Sequence, residues 1–463
     1  MSRAPTSGPA PEPGRPAHPR WPHLLLDPHG HRPTPFRQFV LKVHNRCNLD
    51  CTYCYLYRGQ DRGWRDRPPR TARPTMLRTA ARIAEHVRTH GLDRIRIELH
   101  GGEPLLAGPD PVLAYTRAVR AAVPPDCRVT ATVQTNGTRL TAPALDRLAD
   151  AGLRVGLSLD GGRAAHNARR VDRAGRPAWP AARAAARRLA ARPAAYAGIL
   201  CTIDLDTDPL DLYRSLLELH PPGVDLLLPH ANWAHPPPGL PGGAPGRHRP
   251  RPTPYGDWLA AVFDAWWDEG RMRTRVRLFQ EVVALLLGAP SRAEAVGLSP
   301  VAAVVVETDG AIEQVDSLRS AYPGAAETGL DVFRNTFDHA LRHPGVAARQ
   351  LGRRALAAEC RGCPVGGVCG GGNYVHRYAP GSGFRHASVY CADLERLVRH
   401  VAHRVEQAVP ASPPPVPASP LAPPASPPAP PASRPDPGTR PLPAAEAPRQ
   451  SAPTPLCEHP FDA

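Results

Sequence analysis

His44-Asn45-Arg46-Cys47-Asn48-Leu49-Asp50-Cys51-Thr52-Tyr53-Cys54-Tyr55 decides how the rest of this chain is read. Three cysteines in C-x3-C-x2-C spacing can each reach a different iron of one 4Fe–4S cubane, leaving the fourth iron without a protein thiolate. An open iron can chelate the amine and carboxylate of a substrate, the arrangement needed to push one electron into a sulfonium. The alternative is structural zinc, which normally takes four protein ligands and would have to recruit His44.

Working outward, Phe36–Val43 reads as a buried strand that runs straight into the first cysteine. Further strands are expected at Arg94–Leu99, Arg128–Gln134, Leu153–Leu159, Tyr196–Ile203 and Val224–Leu228. Helical stretches lie between them, at Leu77–His90, Pro111–Ala122, Ala142–Ala151 and Pro180–Ala191. Strand–helix alternation predicts an α/β fold of parallel strands with helical crossovers. Glycines and polar residues gather at the strand ends, in Gly101-Gly102-Glu103-Pro104, Thr135-Asn136-Gly137 and Asp160-Gly161-Gly162. Parallel α/β barrels place their chemistry at that end. Later, an aromatic helix is expected within 255–288, a hairpin around Thr308-Asp309-Gly310, and a last helix from about Ala392 to Val409.

A second group, Cys360-x2-Cys363-x5-Cys369 followed by Cys391, supplies four thiolates. These suit either a fully ligated 4Fe–4S cluster or a four-thiolate structural zinc. Seven of the ten cysteines fall in these two groups. Tight cysteine groups without an export signal point to metal rather than disulfides. No apolar run is long enough for a membrane helix, so a cytoplasmic protein with no membrane partner is expected. The net charge of +15 is carried almost wholly by arginine, Lys42 being the one lysine. No nucleic-acid module accompanies it, so no nucleic-acid partner is expected. The 60 prolines cluster at the ends, and 20 of them lie in 410–463. The organisation read from this is a flexible arm at 1–34, a core barrel at 35–250, a bridging helical region at 251–300, a cysteine-bearing module at 301–409 and a disordered tail at 410–463.

The first cysteine trio, the aromatic Tyr53 before its last member, and Gly101-Gly102-Glu103-Pro104 resemble the radical S-adenosylmethionine superfamily. The resemblance implies a partial (β/α)6 barrel in which Cys47, Cys51 and Cys54 hold a 4Fe–4S cluster that cleaves S-adenosylmethionine. It implies that Tyr53 packs near the adenine, that Gly101, Gly102 and Pro104 shape a loop at the ligand, and that Glu103 receives the methionine ammonium. Ser158 and Asp160 would bond the ribose, and Arg169 or Arg170 the carboxylate. His166-Asn167 departs from the His-Asp common in related sequences. The second group resembles a SPASM domain, a fuller version of which has seven cysteines and two auxiliary clusters. Asn373 and Val315 stand where two further cysteines would be, which implies one auxiliary 4Fe–4S cluster on Cys360, Cys363, Cys369 and Cys391.

Phe36–His44, Asp61–Arg65, Glu307–Gly310, Gln314–Leu318 and Cys369–Tyr374 narrow the resemblance to FxsB-type peptide maturases. That implies a ribosomally made precursor peptide as substrate and a carbon–carbon cross-link, a cyclophane, between an aromatic ring and a β-carbon. It also implies an external electron donor of flavodoxin or ferredoxin type. Asp316 is the candidate base, with Glu307 and Asp309 as competitors. The rival readings are epimerisation or thioether formation on the same scaffold, or an iron–sulfur peptide-binding protein without activity. Cys127 and Cys201 are candidate hydrogen-donating thiols for epimerisation, although buried inert thiols are common.

Overall fold

The computed structural model describes residues 32–242, 251–270 and 272–408. The expected arm up to residue 31, the proline-rich tail and Cys457 lie outside the described residues. From the N-terminus come β1 (Gln38–His44), α1 (Arg73–His90), β2 (Arg94–Gly101), α2 (Asp110–Ala122), β3 (Arg128–Thr135), α3 (Ala142–Asp150), β4 (Arg154–Ser158), α4 (Trp179–Ala190), β5 (Tyr196–Thr202), α5 (Pro209–Leu217) and β6 (Gly223–Leu227). Each of these strands pairs in parallel with the next. Helices α1 to α5 each carry proline in the first turn, where the missing N–H costs nothing and the fixed φ favours the helix.

Period-two alternation gives the sheet two unlike faces. Phe39 and Leu41 of β1, Ile97 and Leu99 of β2, Val133 of β3 and Leu157 of β4 are fully buried. They belong to one core with Ile83 and Val87 of α1 and Val112 and Val119 of α2. The alternate residues are polar, yet Gln38, Lys42, Glu98, Thr132, Gln134 and Asp225 are buried as well. They line the barrel lumen and pair with one another: Gln38 donates to Glu98 (3.3 Å), Gln134 to Ser158 (2.8 Å), and Arg277 meets Asp225. Buried polar groups persist only when partnered in this way.

The expected aromatic helix within 255–288 is two helices, α6 (Pro254–Asp268) and α7 (Arg277–Leu286), separated by Gly270 in a left-handed conformation (φ 63°) and the short strand β7 (Arg275–Val276). Glycine just past a helix end is the ordinary way to stop it. Next comes β8 (Ala303–Val306), which pairs in parallel with the free side of β1, and the foreseen hairpin leads to β9 (Ala311–Glu313). β10 (Glu327–Asp331) adds antiparallel to β9. The result is one ten-stranded sheet, β10-β9-β8-β1-β2-β3-β4-β5-β6-β7. The sheet therefore runs without a break across residue 301. Short helices α8 (Phe337–Leu341), α9 (Pro344–Ala348), α10 (Ala358–Arg361) and α11 (Gly366–Cys369) precede the closing α12 (Cys391–Ala408). Among the described residues no helix is long and apolar enough to cross a membrane.

Candidate active site

The cysteine loop leaves the end of β1 and is sewn to two neighbours. On one side the Gly102 amide donates to His44 O (2.8 Å) and the Glu103 amide to Arg46 O (3.0 Å). On the other, the Asp50 amide donates to Val171 O (2.7 Å) and the Thr52 amide to Arg169 O (3.1 Å). The approach on the first side demands glycine. Gly101 sits at φ 150°, and a Cβ there would overlap the His44 carbonyl. A Cβ on Gly102 would overlap the Tyr57 hydroxyl and lie 2.6 Å from Arg46 O. The loop thus fixes Cys47, Cys51 and Cys54 at the C-terminal mouth of the barrel.

Burial pushes all three thiols up, Cys47 to about 12 despite the Leu49 amide at its sulfur. Metal binding at these positions would therefore release protons. Among the described residues, the one group of three or more His, Cys, Asp or Glu ligand atoms within 4.8 Å of one another is His86, His90 and Asp338. Neither cysteine group gathers three sulfurs into such a set among the described residues. A tetrahedral zinc at about 2.3 Å from each sulfur needs them about 3.8 Å apart. Thiolates of a cubane bind different irons and stand further apart. The all-sulfur donor sets fit a 4Fe–4S cluster in both groups, and the four-thiolate group would also fit a structural zinc. The His86 group is a helix-to-helix clasp. His86 Nε2 accepts the Phe36 amide (3.1 Å), so its Nδ1 carries the proton and donates to Asp338 (2.8 Å).

Beside the trio, Glu103 is wholly buried. Its carboxylate accepts from the Leu105 amide (2.9 Å), the Thr135 hydroxyl (2.7 Å) and the Asn136 amide (2.7 Å). Burial raises its pKa, and these three donors oppose the rise. Asn136 also turns its side chain toward Cys47 Sγ (3.7 Å) and Asn48 (3.1 Å). Tyr53 donates its hydroxyl to Asp160 and receives Arg170 Nη1 (2.7 Å). Asp160 also accepts the Thr202 amide (3.1 Å), so β1, β4 and β5 meet there. The two arginines part company. Arg170 is buried against Asp160 (3.7 Å), whereas Arg169 points outward to Asp204 and Asp206. Ser158 lies in the lumen on Gln134. Asn167 accepts the Asp160 amide (3.0 Å) while its NH2 donates to Gly161 O and Arg163 O (both 2.9 Å). An aspartate could not supply those two donors.

Across the lumen a charge cluster is buried. Lys42 pairs with Asp316, and Arg319 reaches Asp61 (3.2 Å), Glu307 (3.0 Å), Glu313 and Asp316 (3.6 Å). Arg67 adds to Glu307 (3.0 Å) and Glu313. Burial pushes the Asp316 carboxyl up, but Lys42, Arg319 and His100 outweigh it and hold it below the usual carboxylate range. Glu313 goes the other way: burial and Glu307 raise it against the two guanidiniums. Lys42, Arg319 and Asn136 were not singled out in the sequence as site residues. The isolation of Lys42 as the one lysine, on a buried strand, was the available signal.

In the second group all four cysteines line one pocket with Val365, Gly366 and Gly371. Three consecutive glycines after Cys369 have positive φ. Their carbonyls are gathered by one guanidinium, Arg377, at 2.8, 3.0 and 2.7 Å for Gly370, Gly371 and Gly372. Asn373 accepts the Val375 amide (3.2 Å) and opens the following turn.

Residues 41–193 match the family model described as the radical SAM superfamily. The serine-type anaerobic sulfatase-maturating enzyme of Klebsiella aerogenes is 31% identical over 160 residues, 32% of this chain and 36% of that protein. Its counterpart in Bacteroides thetaiotaomicron is 24% identical over 270 residues, 55% of this chain and 63% of that protein. The alignments thus span between about a third and two thirds of these relatives. A solved structure titled "Native anSMEcpe with bound AdoMet" superposes with TM-score 0.65 at 19% identity, over 80% of this chain and 99% of that one. A companion with AdoMet and Kp18Cys peptide also gives 0.65, at 18% identity, over 80% of this chain and 98% of that one. Residues 41–193 are therefore similar to the radical SAM superfamily, and the chain has the α/β fold of those solved structures.

Proposed function

We propose that this chain is a cytoplasmic radical S-adenosylmethionine enzyme that modifies a ribosomally made peptide by closing a carbon–carbon cross-link between an aromatic ring and a β-carbon. The observation that carries the reading is the cysteine trio zipped to Gly101-Gly102-Glu103 at the mouth of a polar lumen. Cys47, Cys51 and Cys54 would hold one 4Fe–4S cluster, and Cys360, Cys363, Cys369 and Cys391 an auxiliary one. Bound there with S-adenosylmethionine and fed by a flavodoxin- or ferredoxin-type donor, the first supplies a 5′-deoxyadenosyl radical and the second an electron acceptor. Glu103 has a lone pair left and would receive the methionine ammonium, and the buried Arg170 rather than Arg169 would pair with the carboxylate. Asp160, oriented by Tyr53 and the Thr202 amide, faces the ribose. Asp316 takes the proton that leaves the ring. A ring losing a proton to regain aromaticity is a strong acid, so a carboxylate kept ionised by Lys42 serves without being strongly basic.

A second reading follows the serine-type relatives: oxidation of a peptide serine to an aldehyde, which removes the same two hydrogens. Co-expression with the adjacent small precursor, followed by tandem mass spectrometry and carbonyl trapping, separates the two. Loss of two hydrogens, a fragment gap between aromatic and cross-linked residue, and no carbonyl adduct support the cross-link. An adduct at serine favours the second reading. Unchanged mass defeats both.

A further inference from the structure

A file of rings, buried at His376 and Tyr390 and half-buried at Tyr55 and His230, joins the two cysteine groups. Tyr55 follows Cys54 directly, and its ring meets His230 edge-on with centroids 4.5 Å apart. His230 neighbours His376 at 6.0 Å, and His376 meets Tyr390 at 4.8 Å. Tyr390 immediately precedes Cys391. The four rings come from separate places: the cysteine loop, the turn after β6, the turn Tyr374–Arg377, and the start of α12. Their convergence is fixed by the Tyr390 hydroxyl, which donates to Pro229 O (2.8 Å), the carbonyl next to His230.

Ordinary packing does not account for the two imidazoles. His376 is 4% exposed, and neither of its ring nitrogens has a hydrogen-bond partner; His230 Nδ1 also lacks one. Such a buried group costs about 1–3 kcal/mol, and an apolar side chain would avoid the cost. Burial keeps both rings neutral, His230 down to about 4 and His376 well below the ordinary value. Among the described residues no further cysteine group lies between them. Of the three cysteines outside the two groups, Cys127 and Cys201 are buried singly, far apart in sequence.

We propose that Tyr55, His230, His376 and Tyr390 form an electron relay between the iron–sulfur sites of the two cysteine groups. The inference rests on both groups holding 4Fe–4S clusters. One electron leaves a cluster, which is oxidised from its 1+ to its 2+ state. It arrives at the other, which is reduced from 2+ to 1+. No bond forms or breaks and no proton moves, because the rings serve as a tunnelling medium and are not themselves oxidised.

The test uses the anaerobically loaded full chain. A flash of photoreductant delivers less than one electron per chain, and freeze-quench EPR follows its redistribution between the two clusters. His376→Leu weakens the electronic coupling along the file and slows redistribution roughly tenfold. His376→Phe, which keeps a ring, stays close to the wild-type rate. Iron content and both reduction potentials match the wild type in each. His230→Leu and His230→Phe repeat the pair away from Cys391, should His376→Leu disturb the auxiliary site. Leucine variants that equilibrate at the wild-type rate, or phenylalanine variants as slow as leucine, overturn the relay. A wild-type chain whose iron content is untouched by Cys360→Ala and Cys363→Ala instead defeats the auxiliary-cluster reading, and the relay with it.

Discussion

Replacing Lys42 by methionine removes the one lysine ammonium of the chain from a buried ion pair. Lys42 is 3% exposed on β1, and its partner Asp316 is 9% exposed at the end of the hairpin that follows β8. Breaking a buried pair from one side costs about 3–5 kcal/mol, because the remaining charge is stranded. Arg319 Nε stays 3.6 Å from Asp316, which places the expected loss near the lower end, about 3 kcal/mol. Domains are typically stable by about 5–15 kcal/mol, so the variant folds but unfolds at visibly lower urea. In the wild type the Asp316 carboxyl is held below its ordinary value of about 3.9. Its contribution is therefore complete above that pH and is lost as pH falls below it. Without Lys42, burial is less opposed and the pKa rises. The deficit of Lys42→Met is then largest at neutral pH and shrinks toward pH ~4, as the stranded carboxylate takes up a proton. Asp316→Asn alone strands the ammonium, whereas Lys42→Met with Asp316→Asn strands neither. Anaerobic urea titrations of the four proteins at pH 7 give the coupling energy. A double variant that loses the sum of the two single losses, or a Lys42→Met deficit that does not change with pH, refutes the reasoning.

Gly101→Ala forces the glutamate loop off the cysteine loop, straining a φ of 150° and breaking bonds that hold the trio. Iron at the first site, measured after reconstitution, should fall while the auxiliary iron stays. Arg170→Gln should weaken S-adenosylmethionine binding roughly tenfold, about 1.4 kcal/mol, and Arg169→Gln should leave it unchanged by calorimetry. Equal effects would show that the buried arginine is not the carboxylate partner. Arg377→Leu leaves three gathered carbonyls without their donor. It should lose the auxiliary iron selectively, with the EPR signal of the first site intact.

What the sequence made legible follows from how local each signal is. The cysteine trio and Gly101-Gly102-Glu103 sit in short stretches whose spacing carries the meaning, and the strands from β1 to β6, read from their alternation, lie within a residue or two of the expected bounds. α5 escaped because Pro209–Leu217 follows a run of aspartates that reads as a loop. The break between α6 and α7 was signalled by Gly270, yet the apolar aromatic run on either side hid it. Long-range pairings were not legible at all. Lys42 and Asp316 are 274 positions apart, and nothing local tells Arg170 from Arg169. The β4–β5 crossover decides that, by turning one inward and the other to Asp204 and Asp206. The parallel seat of β8 against β1 likewise joins segments far apart in the chain, Gln38 pairing with Ala303.

The most direct measurement is metal content with product analysis on the anaerobically reconstituted chain, with and without Cys47→Ala, Cys51→Ala and Cys54→Ala together. Two 4Fe–4S clusters predict about eight irons per chain, falling to about four in the triple variant, with 5′-deoxyadenosine released under reducing conditions only by the intact protein. Zinc in place of iron, or 5′-deoxyadenosine from the triple variant, contradicts the account.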